Sequence, residues 1–293
     1  MFNSVYFLAW AWLFASFIVS VVLCRKYGAQ FTHNYVKWML WGNFTLHFAK
    51  MAIYDWNAEP AALILTRLTP ENLCAVLIIA SPFLFHFGGV YGRDYMFYVG
   101  IISAIVVFLF PTSKTVMNTD LTQIRNLLEL IRFYLCHTPL LLAPILMASF
   151  GFHRLDYHRL WAIFLFWGGA QTIIFLDHLL IKATGWWYGP GQDPTLTWAA
   201  FFYREGSQNQ SCTFGPPEGM DPFFGWLYPY LPGYLVDFKV GDRWYFTPVI
   251  WSMPFVFLVS YPVGMLLSLP WERRHIEMDF EAAMQRFRMK RSE

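Results

Sequence analysis

The chain has few charged residues for its size. Only 14% of its 293 residues are charged, whereas 57% are hydrophobic and 20% are aromatic. Soluble domains usually carry roughly 25% charged residues, so this composition is typical of an integral membrane protein. The formal net charge of +2 is small and gives no reason to expect nucleic acid as a partner.

Cysteine is also scarce, and no two cysteines form a CxxC pair. The cysteines are Cys24, Cys74, Cys136 and Cys212. Without CxxC spacing, the zinc and dithiol redox motifs that depend on it are excluded. Most of these cysteines fall in or beside apolar stretches, so we do not expect a disulfide scaffold. We likewise expect no cofactor and no metal.

Long apolar stretches occupy most of the chain. Because a helix needs about 20 apolar residues to cross a bilayer, we predict an all-α, polytopic transmembrane bundle of about seven spans. The predicted spans are 4–24, 36–54, 71–91, 95–111, 132–150, 159–181 and 246–269. Arg25 and Lys26 directly follow the first span, which favours a retained span over a cleaved signal peptide.

The remaining segments define the predicted domain organisation. Residues 1–270 form one transmembrane domain, and 271–293 form a charged, helical cytosolic tail. The long loop at about 185–245 is rich in Trp, Tyr, Pro and Gly, so we expect it to lie at the membrane interface. It contains a glycosylation sequon at Asn209, which matters only in a lumenal loop of a eukaryotic protein. Segment 118–131 has helical spacing and either lies in the interface or extends the fifth span.

Basic residues near the span ends predict the orientation of the protein. Lys and Arg accumulate on the cytosolic side of membrane proteins. With the N-terminus outside, the short cytosolic segments and the C-terminal tail carry the larger share of Lys and Arg. We therefore predict a multi-pass protein with its N-terminus out and its C-terminus cytosolic.

A thiol and an imidazole occur at similar positions in two parallel spans. We predict that Thr69 caps the third span and that Pro70 is its first helical residue, which puts Cys74 about 7 Å along the axis. His137 follows Arg132, near the predicted start of the fifth span. Spans three and five run in the same direction, so we expect Cys74 and His137 at matching depth on one membrane side.

Two further spans bring polar groups to the same membrane side. Ionisable groups within spans are costly and usually face the bundle interior. Spans two and six end at this side, and their polar residues form a predicted supporting cluster. The cluster consists of Asn43, His47, Lys50, Asp177, His178 and Lys182. At the opposite side we expect little beyond His33 and His86 near the rim.

This arrangement indicates acyl transfer. A thiolate is a strong nucleophile, and a neighbouring imidazole takes the thiol proton in Cys–His sites. Cys74 would then form an acyl-thioester with His137 as its base, and the charged residues of span six would orient the base or stabilise an oxyanion. The acyl donor at this depth would be a phospholipid ester. Cys136 projects about 100° away from His137 on a helix and is the second-choice thiol.

Three stretches resemble one family of membrane proteins. Residues 67–74 read Arg-Leu-Thr-Pro-Glu-Asn-Leu-Cys and, with Ser81-Pro82, resemble the Cys-bearing span of the transmembrane protein 164 family and its bacterial YwaF-type relatives. Residues 98–112 look like that family's next span, and 132–144 look like its His-bearing span. The resemblance is clearest over about 67–150.

The resemblance implies a reaction and its residues. The family is similar to membrane acyltransferases that move a fatty acyl chain onto a lysophospholipid. Carried over by position, Cys74 is the acyl-accepting nucleophile and His137 is its base. The partners are then a membrane phospholipid and a lysophospholipid.

Three alternatives to acyl transfer stay open at this point. A lipid hydrolase would use the same Cys–His pair, with water resolving the thioester. A transporter or channel would line a substrate path with the polar faces of spans two and six, and prolines within spans would mark broken helices. A structural membrane protein would need no chemistry.

Overall fold

A computed structural model describes residues 4–53, 68–109, 122–184, 213, 237–240, 243–246 and 253–292. The helices are α1 (Ser4–Phe48), α2 (Lys50–Ile53), α3 (Leu73–Phe87), α4 (Gly89–Leu109), α5 (Ile124–Ser149), α6 (Leu160–Thr184) and α7 (Met253–Ser292). A 3-10 turn, Tyr157–Arg159, precedes α6. The predicted helical fold is therefore confirmed for the described residues.

The predicted loop at 185–245 contains a short hairpin. Strand β1 (Asp237–Val240) pairs antiparallel with β2 (Arg243–Phe246), which puts Asp237 opposite Phe246. The hairpin is an addition to the helical bundle that the sequence did not lead us to expect. Apart from Thr213, the remainder of the loop, including Asn209 and Cys212, lies outside the described residues.

Helix length and surface composition indicate a membrane protein. The helical stretches Ser4–Ile53, Gly89–Leu109, Ile124–Ser149 and Tyr157–Thr184 are long and apolar enough to cross a membrane, and α3 is a shorter apolar helix. Large apolar side chains on these helices point outward, with Leu8 66% exposed and Trp38 67% exposed. Such a surface is unfavourable in water and suits lipid contact.

Helix α1 is folded back on itself at Gly28. This residue has φ 76° and ψ −167°, a conformation outside the helical region. A hydrogen bond of 2.9 Å joins the Ser20 and Tyr35 hydroxyls, although 15 residues of straight helix would separate them by about 22 Å. The two arms of α1 therefore pack against each other, and they correspond to the first two predicted spans.

The turn at Gly28 predicts a specific stability effect. Its φ/ψ region is essentially restricted to glycine and costs other residues about 1–3 kcal/mol. We expect Gly28→Ala to lower the free energy of unfolding by that amount, measured in mixed detergent micelles. Gly169→Ala is the matched control, because a Cβ at Gly169, within α6, meets no atom within 4 Å. Equal stability of the two variants would contradict the role of Gly28.

Several predicted boundaries move. Only Gly88 separates α3 from α4, and Gly89 has a positive φ of 58° at this sharp turn. Helix α5 begins at Ile124, so the described part of segment 118–131 extends the fifth span rather than lying apart from it. Helix α7 (Met253–Ser292) continues without a break past position 270. The helical character of the tail is thus confirmed.

Four helices share the main core. Leu77 of α3, Phe97 of α4, Leu140 of α5 and Ile174 of α6 belong to one buried apolar cluster. This packing fixes the relative positions of the helices that carry the predicted site residues.

Candidate functional site

Helix α3 begins with Asn72 as its N-cap. Asn72 has extended backbone angles (φ −148°, ψ 168°), and its side chain accepts a hydrogen bond of 2.9 Å from the Ala75 amide. The prediction that Thr69 caps this helix was wrong, because the Thr69 hydroxyl instead donates to Asp177 Oδ2 at 2.9 Å. Cys74 is consequently the second residue of α3, in its first turn.

Three hydrogen bonds join four chain segments at one end of the bundle, which we name the polar end. Asn43 Nδ2 of α1 donates to the Cys136 carbonyl of α5 at 3.0 Å. His47 Nε2 lies 3.1 Å from the Leu68 carbonyl, just before α3. The third bond, from Thr69 to Asp177, ties the same segment to α6. Together these contacts bring α1, α5, α6 and the start of α3 into one region.

The predicted supporting cluster is buried. Its members are Asn43, His47, Lys50, Asp177, His178 and Lys182, each no more than 9% exposed. His178 Nδ1 lies 2.8 Å from the Ile174 carbonyl, and buried Thr213 donates to the Gln171 side chain. Because burying polar groups is costly unless they are paired, this concentration of them marks the region as a candidate site.

His137 presents an available nitrogen. Its Nδ1 lies 2.6 Å from the Phe133 carbonyl, and since a carbonyl only accepts, Nδ1 must carry the proton in that bond. Its Nε2 is buried and has no hydrogen-bond partner among the described residues. The neutral ring therefore holds a free lone pair on Nε2, as a general base requires.

Cys74 and His137 are not hydrogen-bonded to each other. No such bond joins them within residues 68–109 and 122–184, and Cys74 instead packs on the apolar cluster that contains Tyr95 and Cys136. Because α5 begins at Ile124, the depth of His137 cannot be counted from Arg132, as the predicted span boundary required. The catalytic pairing of Cys74 with His137 stays a prediction.

An ion pair beside the second thiol was not predicted. Arg132 binds Glu129 through two hydrogen bonds of 2.7 Å and 2.5 Å, and its Nη1 lies 3.5 Å from Cys136 Sγ. The spacing of 129, 132 and 136 puts all three on one helix face, and that spacing was the available signal. Cys24, Cys74 and Cys136 are all free thiols.

The opposite end of the bundle contains a second buried polar network. Asp94 is fully buried and accepts hydrogen bonds from Arg159 Nε at 2.6 Å and Nη2 at 3.2 Å. Its Oδ1 also lies 2.7 Å from His153 Nε2. The expectation of little beyond His33 and His86 at this end was therefore wrong. Asp94 and its partners come from separate segments, which is why spacing within spans did not indicate them.

The exposed edge of this network includes Asp156. Partial burial acts to raise the pKa of the Asp156 carboxyl, but hydrogen bonds from the His158 backbone amide and ring, together with the Arg159 charge, lower it below its usual value. The carboxylate caps the turn before α6 by accepting from the His158 amide at 3.0 Å.

Capping of α3 gives a testable prediction. Replacing a capping Asn with Ala typically costs about 0.5–2 kcal/mol, so Asn72→Ala should lower the free energy of unfolding by that amount. Asn72→Ser retains an oxygen acceptor for the Ala75 amide and is the matched control. Chemical or thermal unfolding in detergent measures both, and equal losses would show that the side-chain bond does not stabilise α3.

The long apolar helices and the buried polar end are those of a helical membrane protein. Comparison of the chain with protein-family models, curated proteins and solved structures finds no match. The resemblance to the transmembrane protein 164 family therefore stays a prediction from the residues of 67–150.

Proposed function

We propose that this protein is a membrane-embedded acyltransferase that moves a fatty acyl chain between phospholipids. The observation that carries this proposal is the state of His137, a buried imidazole with Nδ1 fixed by the Phe133 carbonyl and Nε2 unpartnered. A structural histidine would be expected to use both nitrogens, because unpaired buried polar atoms are costly.

The reaction would proceed in two steps at a thiol. His137 Nε2 takes the proton of Cys74, the thiolate attacks the ester carbonyl of a phospholipid, and the lysophospholipid leaves with that proton. The hydroxyl of a second lysophospholipid then attacks the thioester, and the thiol is regenerated. The Cys74 thiol and His137 Nε2 would have to come within hydrogen-bond reach when the lipid binds, and catalytic hydrogen bonds often tighten only in the substrate complex.

The polar end supplies groups that suit such a reaction. Lys50 and Lys182 are buried lysines of the polar end, and an ammonium donor near the ester carbonyl stabilises the oxyanion that forms there. Cys136, near the Arg132 guanidinium, is the alternative nucleophile, since neighbouring positive charge favours a thiolate.

The proposal includes seven passes through the membrane with the N-terminus outside. The two arms of α1 and helices α3 to α7 supply these passes. Support comes from the reversal at Gly28 and from the Lys and Arg distribution, which favours a cytosolic C-terminus. The polar end then faces the external or lumenal half of the bilayer.

Labelling of the thiol tests the proposal. The purified chain in lipid nanodiscs receives a phospholipid with a labelled acyl chain, and we expect the protein to retain label in a hydroxylamine-sensitive bond. Cys74→Ser should lose that label. Cys24→Ser is the matched control, because Cys24 is a buried thiol in a different apolar cluster.

The outcomes separate the alternatives. Loss of label with Cys136→Ser rather than Cys74→Ser would assign the nucleophile to Cys136. Discharge of the label onto added lysophospholipid indicates a transferase, and discharge to free fatty acid in its absence indicates a hydrolase. Absence of thioester in every preparation would reject acyl transfer and favour transport or a structural role.

A further inference from the structure

The C-terminal part of α7, which is cytosolic in the proposed orientation, is hydrogen-bonded to the turn before α6. The Tyr157 amide donates to Glu272 Oε2 at 2.8 Å, and the Tyr157 hydroxyl donates to Asp279 Oδ2 at 2.6 Å. Residues 272, 275 and 279 share one helix face. These contacts set that face of α7 against the Tyr157–Arg159 turn.

This junction assembles a group of metal-ligand side chains from two distant segments. One ligand atom each of Asp156, His158 and His275 lies within 4.8 Å of the other two. Asp279 Oδ2 lies 3.5 Å from His158 Nε2 and 3.7 Å from His275 Nε2. Two imidazoles thus approach the same carboxylate oxygen from different elements.

We propose that His158 Nε2, His275 Nε2 and Asp279 bind one divalent transition-metal ion of the zinc class. Asp156 Oδ1 lies 3.0 Å from His158 Nδ1 and orients that ring from its other nitrogen. A tetrahedral zinc site with bonds of about 2.0–2.1 Å separates its donor atoms by about 3.3 Å, close to the 3.5 Å and 3.7 Å observed. The mixed imidazole and carboxylate donors suit zinc, whereas magnesium and calcium prefer oxygen ligands alone.

The position of the group favours reversible metal binding. The His158 side chain is 56% exposed and the His275 and Asp279 side chains are each 41% exposed, so an ion has access from solvent. Beside the group lies a cavity of about 620 Å³, lined in part by His153, Glu272 and His275. A bound ion would hold α7 against the turn and fix this wall of the cavity. This inference is independent of the proposed acyl transfer.

Metal titration of the full chain tests the site. The protein is purified through a histidine-free tag, stripped with a chelator, and titrated with Zn²⁺ against a chromophoric chelator. We expect one zinc per chain, no competition from millimolar Mg²⁺, and a rise in melting temperature with zinc concentration because the ion stabilises the folded state. His158→Gln combined with His275→Gln should abolish the site.

Single variants and a Co²⁺ spectrum distinguish a metal site from an ion-pair network. Asp279→Asn should weaken zinc binding by at least about tenfold, and His86→Gln, an exposed histidine elsewhere, should bind zinc as the unaltered chain does. Co²⁺ bound to the unaltered chain should show the intense visible bands of tetrahedral coordination. Unchanged zinc binding in the double variant, or a Co²⁺ spectrum equal to that of the aqueous ion, would mean that the four side chains form an ion-pair network only.

Discussion

Replacing Asp94 with alanine should destabilise the protein by about 3–5 kcal/mol, the usual cost of removing one partner of a buried ion pair, because Arg159 is left with its longer ion pair of 3.5 Å to Asp156. The Asp94 side chain is 1% exposed and that of Arg159 is 19% exposed, and their closest contact is 2.6 Å. His153 would lose its carboxylate partner at the same time. Reversible unfolding in mixed micelles, or the thermal midpoint of the purified protein, measures the loss.

An exposed ion pair in the same chain is the control for Asp94. Arg273 lies 2.7 Å from Glu277, but their side chains are 78% and 56% exposed. Exposed pairs contribute about 0–1 kcal/mol, so Glu277→Gln should change stability very little. If Asp94→Ala and Glu277→Gln lower the free energy of unfolding equally, then burial does not determine how much the Asp94 ion pair stabilises the protein.

A double-mutant cycle separates charge from packing at Asp94. If Asp94→Leu and Arg159→Met are combined, the double variant should be more stable than the sum of the two single losses implies, because neither charge is then left alone. Purely additive losses would show that the two side chains act independently.

The helical fold could be predicted because its signal is local. Apolar length alone indicated the helices that now carry Cys74, His137 and Asp177. The boundaries were less accurate where tertiary contacts compete with local preference. Thr69 has a good capping side chain, but its hydroxyl binds Asp177, and this leaves Asn72 to cap α3.

The residues of the polar end could be predicted from the sequence for a different reason. Asn43, His47 and Lys50 follow helical spacing, so one polar face could be identified from the spacing alone, although α1 ends at Phe48 and Lys50 begins α2. The Asp94 network and the donors around His275 could not be identified in this way. Their members are joined by packing between distant segments, and no local spacing connects His158 with His275.

The two ends of the bundle differ in how completely their buried polar side chains are paired. At the Asp94 end, the carboxylate oxygens both bind Arg159, and one of them also binds His153. That network is satisfied internally and needs no ligand to complete it. At the polar end, His137 Nε2 and Asn43 Oδ1 are both buried without a partner among the described residues. Unsatisfied acceptors of this kind suit a thiol proton or a substrate hydroxyl.

In the proposed acyl transfer, replacing His137 with glutamine should slow formation of the acyl-thioester by about 10²–10⁴-fold, the usual contribution of a general base. Glutamine keeps a polar side chain of similar length, and the helix retains its backbone hydrogen bonding around Phe133. Stability should therefore change much less than rate. Single-turnover transfer of a labelled acyl chain to the protein measures the effect directly.

The pH dependence distinguishes a base from a structural residue. Without His137, reaction depends on thiolate formed by hydroxide, so the rate of the variant should rise by about tenfold per pH unit below the thiol pKa. The unaltered chain should be much less dependent on pH over the same range. His33→Gln, a partly buried histidine whose ring contacts Phe85, should retain both the rate and the profile. If His137→Gln retains them too, then Nε2 does not accept the thiol proton, and the unpartnered nitrogen no longer supports acyl transfer.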